Sequence, residues 1–131
     1  MIPEREYKSF VYLASPYTHP DPKVREQRYL AVRRITASLM AKGIPVFSPI
    51  TYSHPLAVLY NLPVEEQYWR FINFRMIEAC DCVFVAMLEG WSESKGIAAE
   101  LEKAKELGKD IYYLKIAEGD TGDGKIEVFN Q

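Results

Sequence analysis

The sequence predicts an α/β fold, a three-layer αβα sandwich around a mainly parallel sheet of four to five strands (Rossmann/flavodoxin-like). Three observations point there. Cys82 to Leu88 is an unbroken apolar run with β-branched and aromatic members, the mark of a strand covered on both faces in a parallel sheet. Strand-like runs alternate along the chain with longer stretches of helical periodicity. Two of those helical stretches stop at a glycine, Gly43 and Gly108, and the alternation with strands indicates short right-handed crossovers.

In order, Met1 to Lys8 are polar and expected to fray, and Phe10 to Ala14 form the first strand. The three prolines between Ser15 and Pro22 exclude regular helix, so this stretch is a loop. Asp21 then caps a helix with Pro22 in its first turn, running to about Lys42. Ile44 to Pro49 reads as a short second strand, and Pro45 places it at a sheet edge. Ile50 to Asn61 is a loop or short helix, followed by a helix from about Pro63 to Ala79. After the strand at Cys82 comes a helix whose inward stripe is Ile97, Leu101, Ala104 and Gly108, flanked by Leu107, and then a fourth strand from Asp110 to Ile116. Gly119 to Gly124 is a turn, and Lys125 to Phe129 an extra edge strand. All of residues 1–131 read as one domain, with 117–131 peripheral.

Composition excludes several classes. The chain has 131 residues and a net charge of −2, so neither a nucleic-acid backbone nor an anionic membrane is an expected partner. Cys80 and Cys82 stand two positions apart at the head of a predicted strand, where a disulfide between them is not expected and a reducing, cytoplasmic setting fits. No secretory apolar region or membrane-length run occurs. The acidic turn near Asp120 lacks the glutamate a calcium loop carries at its twelfth position, which argues against calcium there; no metal and no cofactor are expected.

The chemistry concentrates in Glu89 to Glu100, which joins the central strand to the following helix. Ser94 is placed to cap that helix, Gly96 permits close approach to its first turn, and the exposed amides there attract anions. One turn later, Glu100 falls in the stripe between Ile97 and Ala104, beyond the carboxyl end of a central strand, where open α/β sheets bind ligands. The residues alone leave alternatives open. Glu100 can tilt out to solvent, Ser94 can be a cap and nothing more, Tyr12 can be plain core, and His54 can be a solvated loop histidine among Tyr52, Ser53 and Tyr60.

Ser94-Lys95-Gly96 followed by Glu100 and preceded by Gly90-Trp91, together with Tyr12-Leu13-Ala14-Ser15-Pro16-Tyr17, resembles the nucleoside 2-deoxyribosyltransferase-like superfamily, with its bacterial and phage branch as the nearest match, from about Phe10 to Leu114. The resemblance implies Glu100 as a nucleophile toward an anomeric carbon, with Tyr12 hydrogen-bonded to it. Asn73 falls where the superfamily carries an aspartate that serves the leaving base. Ser15, Tyr17, His54, Trp91, Ser94 and Gly96 are implied in substrate binding. Serine at position 94, where transferases acting on free nucleosides carry an aspartate, is similar to the nucleoside 5′-monophosphate N-glycosidases, since a hydroxyl on a helix N-terminus can donate to a phosphate that a carboxylate would repel. Lys95 and Arg25 are candidates for added positive charge. Asparagine at 73 cannot act as a general acid, and Glu78, the nearest acidic alternative, lies on a different helix face. Three activities follow as expectations: hydrolysis of a (deoxy)nucleoside 5′-monophosphate, transfer of deoxyribose between bases, or nucleotide binding without turnover. The resemblance also implies a homodimer or higher homo-oligomer, with the segment near Gly124 and Lys125 reaching a neighbouring site.

Overall fold

Val11–Ala14 forms β1, and all four residues are buried because alternate side chains face two covered layers. Val11 and Leu13 join one apolar cluster, Tyr12 and Ala14 another. Pro22–Ala41 forms α1, started by Asp21, whose carboxylate accepts from the Lys23 N–H at 2.9 Å. There follow β2 (Val46–Phe47), α2 (Pro49–Tyr60), α3 (Glu66–Ala79), β3 (Cys82–Ala86), a single 3₁₀ turn (Trp91–Glu93), α4 (Lys95–Glu106), β4 (Asp110–Ile116) and β5 (Ile126–Asn130). This computed structural model describes residues 5–116 and the backbone of 126–130. The turn expected at Gly119 to Gly124, Lys125 and residues 1–4 lie outside the described residues.

The five strands lie in the order β2-β1-β3-β4-β5, with β1 to β4 parallel and β5 antiparallel to β4. The edge position expected for the second strand holds, and its pairing shrinks to Val46 and Phe47 opposite Val11 and Tyr12. One apolar cluster joins Val32, Ile35 and Leu39 of α1 to Cys82, Phe84 and Ala86 of β3. The other joins Ile77 of α3 and Ile97 and Ala104 of α4 to Val83 and Val85. The sheet is therefore the middle of three layers, and β1 and β3 are its centre. From β1 the chain moves outward to β2, then returns across β1 to β3, so the carboxyl ends of β1 and β3 flank a topological switch point.

Three expectations change, and the loop-or-helix alternative at residues 50–61 resolves to a helix. Residues 5–8 do not fray, because Tyr7 packs on the α1-side cluster, Arg5 reaches Asp110 at 3.6 Å, and the Ser9 N–H donates to Asp81 at 2.8 Å. The stretch around His54 is a full helix despite Pro55, started by Ser48 as N-cap and Pro49 in its first turn, and ended by Asn61 in the left-handed region at φ 54°. The helix expected from Pro63 begins only at Glu66. Leu107 is largely exposed and flanks no buried stripe, since α4 ends at Glu106 before the Gly108 turn. Cys80 and Cys82 are free, buried and on opposite faces, and burial pushes the Cys82 thiol up to about 11. Both thiols are thus packing groups rather than nucleophiles. No helix among the described residues is long and apolar enough to cross a membrane.

Candidate active site

Glu100 sits two turns into α4 on its inward face, 7% exposed, between the buried Ile97 and Ala104. Tyr12 of β1 is fully buried on the same side of the sheet, and its hydroxyl donates to Glu100 Oε2. Burial pushes the Glu100 carboxyl up to about 8; the Tyr12 hydrogen bond pulls it down, and the charge of Glu66 adds to the rise. Burial, then the neighbouring Glu100 charge, holds the Tyr12 phenol well above its ordinary range. A buried carboxylate touching a phenol beside a cavity makes Glu100 a candidate functional group.

Glu100 lines a narrow cavity of about 40 Å³ at the switch point. Ser15 and Tyr17 come from the loop after β1, Ile50 and Ser53 from α2, Glu66, Trp69 and Asn73 from α3, and Ser94 and Gly96 from the α4 N-terminus. Ser15 is buried, and its hydroxyl has no hydrogen-bond partner among the described residues. Such a hydroxyl is costly unless water or a ligand satisfies it. Ser94 Oγ accepts from the Ile97 N–H at 3.1 Å as N-cap of α4, so its own proton remains free to donate. Thr18, Glu66, Ser94 and Gly96 also line an adjoining cleft of about 520 Å³, with Arg28, Arg70, Lys95, Glu65 and Glu93.

The structure thus brings together Glu100, Tyr12, Asn73, Ser15, Tyr17, Ser94 and Gly96, with Tyr12 under Glu100 and the others on the cavity wall. It does not bring His54, Trp91 or Arg25 to that wall. His54 is 4% exposed and stands behind Tyr17, facing a separate outer cleft. Its Nε2 meets Glu26 at 2.9 Å and its Nδ1 meets the Tyr17 hydroxyl at 2.7 Å, while Tyr29 stacks on the ring at 4.4 Å. A carboxylate can only accept, so Nε2 donates to Glu26, and Nδ1 pairs with the Tyr17 hydroxyl. Trp91 turns its ring onto Tyr113, 5.6 Å away, because the corner after β3 gives it an apolar surface to cover. Arg25 is held by the carbonyls of His19 and Pro20.

Three functional candidates went unread in the sequence: Arg28, Glu66 and Arg70. Arg28 donates to the carbonyls of Tyr17 and Thr18 at 3.3 and 3.0 Å and lies against Gly90, where a Cβ would come within 2.5 Å of its Nη2. Gly90 sits at φ 89°, so the backbone at this corner favours glycine, while the Arg28 tip could swing aside from a Cβ. Glu66 holds Arg70 through two hydrogen bonds of 2.8 Å, and its Cγ lies 3.2 Å from where a Cβ on Gly96 would be. Gly96 thus lets a side chain of α3 approach the first turn of α4. The available signal was spacing: Glu66, Arg70 and Asn73 recur at i, i+4 and i+7 on one helix face. Glu78 instead pairs with Arg75 at 2.7 Å on the exposed side.

A doubly wound α/β sheet with a buried carboxylate in the crevice at its switch point is the class this geometry defines. The chain belongs to the family described as a domain of unknown function (DUF1937), which matches residues 9–115. No curated protein matches it in sequence. Among solved structures it is similar to a "2-desoxiribosyltransferase from Leishmania mexicana", with 23% identity and a TM-score of 0.52, over 93% of this chain and 80% of that one. That likeness is one of fold.

Proposed function

We propose that this protein cleaves the N-glycosidic bond of a (deoxy)nucleoside 5′-monophosphate, releasing free base and sugar 5-phosphate, with Glu100 as nucleophile. The reading rests above all on the buried Tyr12–Glu100 pair at the cavity floor. In the first step a Glu100 oxygen attacks C1′ as the C1′–N bond breaks, and the electron pair leaves with the base, which takes up a proton from water. Tyr12 aims the carboxylate by donating to it. Trp69 and Ile50 offer apolar faces to the base, and the Asn73 amide and Ser15 hydroxyl are available to its polar edge. The phosphate is accommodated beside Ser94, where the first-turn amides of α4 and the cations Arg28 and Lys95 border the wide cleft.

Two other readings each have an observation behind them. The shared fold with a 2-desoxiribosyltransferase favours base exchange. Asn73, which cannot donate a proton as an acid would, favours binding without turnover. Incubation with a panel of nucleosides and monophosphates, with and without a second free base, separates the three. Base released from monophosphates alone is the expected result; exchange of bases supports transfer, and saturable binding with no product supports a sensor.

The same reading takes residues 1–131 as one domain in a cytoplasmic protein, in keeping with two free buried thiols. It includes a homodimer or higher homo-oligomer. Val58, Leu59 and Tyr60 at the end of α2 and Tyr68 and Phe71 on α3 are large, apolar and at least half exposed, and both helices border the cavity. Sedimentation is expected to give at least a dimer, and a monomer at micromolar concentration would remove this part.

A further inference from the structure

Cleavage through Glu100 leaves the sugar esterified to the protein, and hydrolysis needs a second group to take a proton from the attacking water. Asn73 cannot accept that proton. Among the described residues lining the cavity, Glu66 is the one other carboxylate. It enters from the first turn of α3 while Glu100 enters from α4, so the two acids reach one cavity from different helices. Its side chain is 19% exposed. Arg70 grips both of its oxygens at 2.8 Å, which fixes the direction of the carboxylate. Each of those oxygens keeps a further lone pair for a water molecule. Glu66 also borders the wide cleft, so water reaches it from solvent. The influence of its charge on both Glu100 and Tyr12 agrees with this proximity.

We propose that Glu66 is the general base of the second half-reaction, activating water against the sugar ester on Glu100. This rests on the glycosidase reading above. The water oxygen bonds to C1′ as the C1′–O bond to Glu100 breaks, and the electron pair returns to Glu100. The water proton passes to Glu66, which releases it to solvent through the cleft as Arg70 holds the carboxylate again. Arg70 is a positioning residue. The device favours water over a second base as acceptor, and so hydrolysis over transfer.

The test is Glu66→Gln in the full chain, assayed on nucleoside monophosphates with and without sodium azide, a small anion that attacks C1′ with no base to help it. The variant is expected to release about one equivalent of base per site in a burst and then turn over about 10²- to 10⁴-fold more slowly than the parent. Mass spectrometry should find the sugar phosphate on the peptide that carries Glu100. Azide should restore turnover and yield a glycosyl azide, with a larger rescue in Glu66→Ala, where there is more room. A purely structural role would lower burst and steady state together and give no azide product, and that outcome overturns the proposal while leaving Glu100 in place. A parent protein that releases no base from any substrate overturns the glycosidase reading itself, and Glu66 with it. Thermal melts of both variants check that loss of activity is not loss of fold.

Discussion

Replacing Glu100 with glutamine is expected to abolish base release, by at least about 10⁴-fold, while making the protein more stable at alkaline pH. The first effect follows from the nucleophile: an amide oxygen cannot form the glycosyl ester, and groups that only bind do not replace it. The second follows from burial. Glu100 carries a folded-state pKa of about 8 against an ordinary 4.5, so below about pH 4.5 it is protonated in both states and costs nothing. As pH rises from there, the unfolded chain gives up the proton and the folded chain keeps it. Stability then falls by up to about 1.4 kcal/mol per pH unit until the folded group ionises near 8, and is level above that. The glutamine of Glu100→Gln carries no such penalty, and its carbonyl can still accept from Tyr12. The variant should match the parent near pH 4 and exceed it by roughly 3 to 5 kcal/mol above pH 8. Denaturant unfolding at several pH values reads this directly. A gap that does not widen with pH would mean that Glu100 is ordinarily acidic and not enclosed. Retained base release would remove it from the chemistry.

The parts of this site that the sequence made legible are those fixed by local rules. The stripe Ile97, Glu100, Ala104 follows from helical period alone, and Ser94 from capping chemistry, so the inward carboxylate and the anion-attracting helix end could be read before any coordinates. The alternating burial of β1 places Tyr12 on the α4 side once the sheet is accepted. What escaped were the contacts that join distant segments. The place of His54 behind Tyr17 was not legible because its partners Tyr17 and Glu26 lie 37 and 28 positions away in sequence. Arg28 gave no sign of reaching Gly90, since only the packing of α1 against the corner after β3 brings them together. Glu66 was hidden for the same reason: its helix face was ambiguous until α3 lay against α4. Trp91 was misplaced in the other direction, because a motif neighbour of Glu100 has the same spacing whether its ring faces a ligand or Tyr113.

Removing the Tyr12 hydroxyl is expected to move the pH dependence of the reaction rather than simply lower it. Nucleophilic attack needs ionised Glu100, so kcat/KM should climb with pH and level off near 8, where that carboxyl loses its proton. Burial is the main cause of the elevated value, and the Tyr12 hydrogen bond opposes it by donating to the charged form. Tyr12→Phe takes away that opposing interaction and leaves the desolvation untouched. Glu100 then holds its proton more tightly, and the acid limb shifts to higher pH. At pH 7 the variant should lose about 10- to 100-fold in kcat/KM, a loss of one to two pKa units' worth of ionised nucleophile. At pH 9 to 10 most of that loss should return, because the carboxylate is recovered even though its donor is not. The measurement is kcat/KM across pH 5 to 10 for parent and variant on one monophosphate. A limb that stays near 8 in Tyr12→Phe would make Tyr12 a packing residue, and a parent limb near 4.5 would place the ionisation of Glu100 outside the cavity's control. A uniform drop at every pH would instead mean that the phenol acts on the substrate and not through the carboxylate it touches.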